Sequence, residues 1–353
     1  MIRQTIEEND AGQRLHKYLT RLMPAAGSGF LYKMLRKKNI TLNGRKAEGS
    51  EILAAGDSVE LFFADDSFAS FRGTASETVP LFSEHPIRRS EIVYEDDDIL
   101  IACKPAGVLS QKDTPEGESY NEMILQYLID SGKVTAASLK SYKPGICNRL
   151  DRNTAGLVLF GISLPGGREL NRLLKERSIG KYYYAIVFGA FDKPVDSRLY
   201  LTKDSSVNQV KITGDKVSED SVPVHTSIKP VRSGQDISLV RVQLHTGKSH
   251  QIRSVLAYLG HPVLGDPKYI GEGSRFASLN QHYRIRYHLR GQLLLAYALH
   301  FPAEPAGPLA KVSGKTFYAP VPERFAEVAV TEITKGEELY AVMEIPGTSG
   351  LVL

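Results

Sequence analysis

The sequence predicts an α+β fold with a largely antiparallel or mixed sheet. Three observations carry that expectation. Short β-prone runs are separated irregularly by Gly, Asn, Asp and Pro turns, amphipathic helical stretches are few, and no period repeats along the chain. With 353 residues, 42% hydrophobic and 24% charged, the chain is long enough for two domains and has the composition of a soluble globular protein.

Residues 1–64 read as a small α+β unit. Leu15, Tyr18, Leu19 and Leu22 fall at helical spacing, with Arg14, Lys17 and Arg21 on the other face. Pro24 and Gly27-Ser28-Gly29 end that helix; a second turns Leu31, Met34 and Leu35 inward and Lys33, Arg36 and Lys37 outward. Ile40, Leu42, an Asn43-Gly44 turn and residues 59–63 then read as short strands. Residues 65–89 mix Ser, Ala, Gly, Thr, Pro and charges without a period, as a linker would.

Residues 90–330 form the larger domain. Strands are expected at 92–94 and 99–102 around an acidic turn, followed by a turn at Lys104-Pro105-Ala106-Gly107. A helix turns Met123, Tyr127 and Leu128 inward, and 133–142 reads as a loop. Further strands are expected at 157–160, 182–188 and 237–244, and helices at 169–176 and 249–259. Residues 331–353 are a C-terminal extension.

Two cysteines, Cys103 and Cys147, neither in a CxxC pair, argue against a disulfide framework and a cysteine zinc site, and fit a reducing cytoplasm. The start, MIRQTIEENDAGQRL, lacks an apolar h-region, and apolar runs such as 293–299 are too short to span a membrane. The net charge of +4 says little, but its distribution says more. Residues 30–46 carry six cations and no acid, whereas 65–353 carry 34 basic and 33 acidic side chains. That excess suits a nucleic-acid-binding appendage. It equally suits a solvated helix face.

The stretch most suggestive of chemistry is NRLDRNTAGLVLFG, residues 148–161, which places Asp151 in a polar turn just before an apolar strand. Such a carboxylate is accessible and could serve as a nucleophile; equally, Asp151 and Asn153 could bond their own backbone as an Asx turn. A calcium loop is excluded by Ala155 and Ile162 at its fifth and twelfth positions. Gly247-Lys248-Ser249 mimics the end of a P-loop, but Val242 stands where its first Gly must be. His245 and His250 lack zinc-helix spacing. No metal and no cofactor are expected.

NRLDRNTAG resembles the signature of the RluA-type pseudouridine synthases. YEDDDILIACKPAGVLSQ at 94–111, KYYYAIVFG at 181–189 and HTGKSHQIRSVLAYLGHPVLGD at 245–266 resemble that family's other blocks, in the family's order. The resemblance implies an α+β catalytic domain with a central cleft, isomerising uridine to pseudouridine in RNA without a cofactor. It makes Asp151 the nucleophile, attacking the anomeric carbon or ring carbon six. By the same resemblance Arg253, from HQIR, pairs with Asp151, Tyr183 contacts the flipped uracil, and Arg149 enters the RNA where the base has left. Tyr182 and Tyr184 would face the other side of the strand. Asn148, Lys248-Ser249, Val255 and Leu295 depart from common family residues.

AGQRLHKYL with a basic helix and ITLNGRKA resembles the alpha-L RNA-binding domain, which implies phosphate contacts from Arg14, Lys17, Arg36, Lys37, Lys38 and Lys46. By association it points to ribosomal RNA, most often of the large subunit, with transfer RNA as the other candidate. A monomer without a membrane partner is expected. The competing class is a non-catalytic RNA-binding or ribosome-assembly protein. A glycoside hydrolase would need a second carboxylate, which the four blocks do not supply.

Overall fold

The computed structural model describes residues 1–6, 10–72, 81–114, 117–204, 209–271, 273–303, 307–335 and 337–343. Residues 2–72 build their own sheet and core. The elements are β1 (Ile2–Thr5), α1 (Leu15–Leu22), α2 (Ser28–Arg36), β2 (Ile40–Leu42), β3 (Arg45–Lys46), β4 (Ser58–Leu61) and α3 (Asp65–Arg72). The strands pair antiparallel in the order β1-β4-β2-β3. Asn43 (φ 51°) and Gly44 (φ 72°) form the β2–β3 turn, a two-residue loop whose left-handed backbone these residue types tolerate. Leu15, Tyr18 and Leu19 of α1 and Leu31, Met34 and Leu35 of α2 are buried against Ile40, Val59 and Leu61.

Helix α3 lies where a linker was expected. Its Phe68 and Phe71 sit three residues apart and pack onto the same core, Phe71 with its ring 4.7 Å from that of Phe30. Small polar neighbours hide that apolar pair in the sequence. Asp65 and Asp66 in its first turn complement the helix dipole. Residues 73–80 of the expected linker lie outside the described residues.

The remaining elements are β5 (Ile92–Glu95), β6 (Ile99–Lys104), α4 (Tyr120–Asp130), α5 (Ala136–Ser141), β7 (Gly145–Ile146), β8 (Ala155–Gly161), α6 (Leu164–Lys175), β9 (Gly180–Phe188), β10 (Val195–Asp204), β11 (Gln209–Thr213), β12 (Val222–Ser233) and β13 (Ile237–Leu244). Then come α7 (Gln251–Tyr258), α8 (Ala277–Arg286), β14 (Leu294–His300), β15 (Thr316–Tyr318), α9 (Glu323–Val328), a π-helical turn (Ala329–Thr334) and α10 (Leu339–Val342). Among the described residues the eleven strands form one sheet, in the order β11-β10-β12-β13-β9-β14-β8-β6-β5, with β15 on β14 and β7 on β8. Every pairing is antiparallel except β14 with β8, which run parallel at Leu295–Ala155 and Ala296–Gly156. Gly156 is needed at that joint. Its φ is 119°, and a Cβ there would stand 2.2 Å from the Ala296 carbonyl oxygen.

Several elements differ from expectation. Residues 133–142 hold helix α5, started by a capping box in which the Thr135 and Ser138 hydroxyls accept from each other's backbone N–H. In α4, Leu128 is buried together with Tyr120, Ile124 and Leu125, whereas Met123 and Tyr127 are only half-buried. The helix is covered on most sides, so a single inward face misplaces its core. Strands β10, β11 and β12 had no expected counterpart. Charged residues fill them, and Pro230 sits where the β12 register slips.

Alternation along the strands places one apolar cluster on each face of the sheet. One cluster, under β9 and β14, is closed by α6, α8, α9, the π-helical turn and α10. The other is closed by α4 and α7. The expected C-terminal extension is therefore core where described: Ile333, Leu339 and Met343 are buried, and the Tyr184 hydroxyl donates to the Met343 carbonyl. Residues 344–353 lie outside the described residues. Among the described residues no helix is long and apolar enough to cross a membrane.

Candidate active site

The turn before β8 is held from several directions. Asn148 acts as a surrogate backbone group for β8, accepting from Leu159 N at 2.6 Å and donating to Leu157 O at 3.3 Å. The Ser110 hydroxyl donates to Leu150 O (2.9 Å) and accepts from Leu150 N (3.0 Å). Thr154 N donates to Asp151 O at 3.0 Å, and the Gln292 amide donates to the Thr154 hydroxyl at 3.2 Å. Gly291 presses on the other side, where a Cβ would come within 2.5 Å of the Asn153 side chain.

With its backbone so fixed, the turn presents Asp151 to α7. The carboxylate Oδ2 accepts from Arg253 Nη1 at 2.9 Å. Among the described residues no N–H of the turn bonds the Asp151 carboxylate, so its side chain does not close an Asx turn. Arg253 is 4% exposed and Asp266 is fully buried. Their bond is bidentate, Nε to Oδ2 at 2.6 Å and Nη2 to Oδ1 at 2.9 Å, and Asp266 Oδ1 also accepts from Lys268 N and Tyr269 N. The guanidinium lies 5.2 Å from the centre of the Tyr269 ring. Burial disfavours the Arg253 cation, and the Asp266 and Asp151 carboxylates override that, holding its pKa above the ordinary value. One cation thus serves two carboxylates. The exposed part of the trio is Asp151, whose side chain is 25% exposed.

The start of α7 is pinned in turn. Gln251 Oε1 accepts from the Thr246 hydroxyl and Lys248 N, and its amide donates to His225 O and Thr226 Oγ1. His250, immediately before the helix, has φ 54° and bonds the Tyr269 hydroxyl through Nδ1 at 3.1 Å.

Tyr183 lies on β9, with Tyr182 and Tyr184 on the opposite face against Tyr297. Tyr183 therefore faces the opposite apolar cluster from its two neighbours. Burial, and then the charge of Asp151, push the Tyr183 phenol above its ordinary pKa, so it is protonated at neutral pH. Reading the sequence missed Lys104 as a partner of the site. It is fully buried, and its Nζ donates to the carbonyls of Pro105 and Val108 at 2.8 Å and of Arg152, next to Asp151, at 3.1 Å. Burial pulls its pKa down to about 7 against the opposing pull of Asp151.

The structure thus gathers Asp151, Arg253 and Tyr183 and adds Lys104, Asp266 and Tyr269. Arg149 is exposed beside the turn. Arg14, Lys17, Arg36, Lys37, Lys38 and Lys46 are all exposed on the four-stranded unit, whereas Arg21 is drawn into an ion pair with Asp10 at 3.2 Å. No group with metal-ligand spacing includes Asp151; among the described residues such a group occurs at Asp196, His225 and His245.

Residues 98–258 match the family described as RNA pseudouridylate synthase. The chain is similar to ribosomal large subunit pseudouridine synthase C of Rickettsia conorii, 32% identical over 263 residues that cover 72% of this chain and 82% of that one. The chain belongs to the RNA pseudouridylate synthase family. It is also similar to ribosomal large subunit pseudouridine synthase D of Haemophilus influenzae, 26% identical over 333 residues and 92% of each chain. In fold it resembles human RNA pseudouridylate synthase domain containing 4, with a TM-score of 0.52 and 19% identity over 68% of this chain and 92% of that one. The segment matched to the pseudouridylate synthase family contains Lys104, Asp151, Tyr183 and Arg253. Asp266, which orients Arg253, lies beyond it.

Proposed function

We propose that this enzyme isomerises uridine to pseudouridine in large-subunit ribosomal RNA, with Asp151 as its nucleophile. The observation that carries the reading is the Arg253–Asp151 bond, with Arg253 locked by a second, fully buried carboxylate. A carboxylate so paired is held in one orientation, which is what a nucleophile needs. In the reaction the bond from the anomeric carbon to ring nitrogen one breaks and a bond to carbon five forms. The proton lost from carbon five is balanced by one gained at nitrogen one, so no redox partner enters.

Tyr183 offers the extruded uracil a flat face and a protonated hydroxyl, and Lys104 holds the Arg152 carbonyl so that the turn does not shift. Arg149 fills the space the base leaves in the RNA. Ahead of the catalytic domain, which begins at residue 90 and whose core runs past 330 to Met343, residues 1–64 with helix α3 (Asp65–Arg72) packed on them act as an alpha-L RNA-binding domain. Arg14, Lys17, Arg36, Lys37, Lys38 and Lys46 track phosphates there. The two bacterial relatives are named as ribosomal large subunit pseudouridine synthases, and one aligns over 92% of this chain, which supports this assignment. The enzyme works as a cytoplasmic monomer.

Chemical mapping of pseudouridine in unmodified large-subunit ribosomal RNA, after incubation with the chain or with its Asp151→Ala variant, tests the proposal. New pseudouridine is expected with the native chain alone. Equal modification by the variant would remove Asp151 as nucleophile. RNA that is bound but unmodified, with transfer RNA modified instead, would overturn the ribosomal assignment.

A further inference from the structure

Outside the catalytic region, three strands bring together side chains that are far apart in sequence. Asp196 of β10 lies opposite Ser227 of β12, and His225 is two residues from Ser227 on the same face. His245 follows β13 directly, one residue past the Leu244–Thr226 pair. His225 Nε2 lies 2.7 Å from Asp196 Oδ1, the Ser227 hydroxyl donates to that oxygen at 2.7 Å, and His245 Nε2 lies 2.8 Å from Ser227 Oγ. The two imidazoles stack with centroids 4.0 Å apart and planes 15° from parallel. One potential ligand atom from each of Asp196, His225 and His245 falls within 4.8 Å of the others.

We propose that Asp196, His225 and His245 bind one divalent late first-row transition ion, Zn²⁺ or a neighbour such as Ni²⁺ or Cu²⁺, with water completing its coordination. Two imidazoles and one carboxylate suit these ions, whereas Mg²⁺ and Ca²⁺ call for oxygen donors throughout. Asp196 and His225 stand on adjacent strands and His245 directly follows the next, so little ordering is required of the backbone. They are also reachable, since Asp196 is exposed and both histidines are half-exposed.

Both imidazoles turn Nε2 toward the Asp196–Ser227 pair. Each imidazole gives up its inward proton to the ion and keeps one on Nδ1. Two cations oppose binding: Arg198, whose Nε is 3.6 Å from Asp196 Oδ2, and Lys181, whose charge is felt at His245. Arg198 is largely exposed and free to swing away. The ion ties β10 and β12 to the end of β13, beside the His225 carbonyl that anchors Gln251 and hence α7.

The test uses the untagged full chain, stripped with chelator, titrated with Co²⁺ by visible absorption and with Zn²⁺ by calorimetry. One equivalent per chain is expected, with affinity falling about tenfold or more in His225→Gln and in His245→Gln. His282→Gln, on the exposed face of α8, should bind as the native chain does. Circular dichroism checks that the variants fold. Independently, Co²⁺ added to the native chain should strongly shift the imidazole resonances of two of the nine histidines, those of His225 and His245. Absence of saturable one-equivalent binding, binding that survives in the His225→Gln/His245→Gln double variant, or shifts centred on other histidines would each overturn the proposal.

Discussion

Arg253 gives one nitrogen to Asp151 and two to Asp266, so the buried carboxylate, not the exposed one, sets the plane of the guanidinium. Asp266→Ala should therefore leave a buried cation short of its main partner and cost about 3–5 kcal/mol in urea unfolding. Arg253→Lys keeps the charge but cannot satisfy both carboxylates at once. Its conversion of RNA should fall at least about tenfold while RNA affinity holds; unchanged turnover would show that charge alone suffices.

Tyr183→Phe retains the buried ring and removes only the hydroxyl. If the hydroxyl takes part in proton movement, kcat should fall about a hundredfold or more, with RNA affinity and Tm nearly unchanged. Full activity would reduce the role of Tyr183 to its ring.

Lys104 gives a pH test. Its folded pKa, near 7, is depressed from an unfolded value of about 10.4. Between those values the unfolded chain binds the extra proton, so this residue's contribution to stability rises with pH; below about 7 its burial cost is fully present. Native stability, compared with that of Lys104→Met by urea unfolding at pH 6–9, should climb by up to about 1 kcal/mol per pH unit above pH 7. A flat difference would mean that the three carbonyl acceptors keep the ammonium charged throughout.

The basic α2 end gives a salt test. Lys37→Ala with Lys38→Ala should weaken RNA binding and lower the slope of log affinity against log salt by about one to two, with turnover on saturating RNA unchanged. An unaltered slope would place the RNA elsewhere.

Much of the site was legible because its chemistry sits in turns and at helix starts. Asp151 stands in a polar turn, and the strand alternation at 182–184 already separated Tyr183 from its neighbours, though only the pairing of β9 with β14 fixed the face. Asp266 was not legible, because a lone carboxylate after an apolar run gains meaning only when folding places Arg253 against it. Lys104 read as part of an ordinary turn for the same reason, since three backbone carbonyls, invisible in sequence, define its role. In the fold, strands whose polar residues face water on a broad sheet were missed at β10–β12. Helix α3 was missed because two phenylalanines are a short signal.

The parallel joint at Gly156 and Ala296 has a kinetic consequence. Asp151 and Arg253 are 102 residues apart in the chain, and β14, which backs the Asp151 turn, is made later than both. Closing so long a loop before its contacts repay the entropy is slow. The candidate site therefore assembles late in folding: a nascent chain that has emerged only through β13 lacks the strand against which Gly156 packs, and the Asp151 turn is backed only once β14 has inserted.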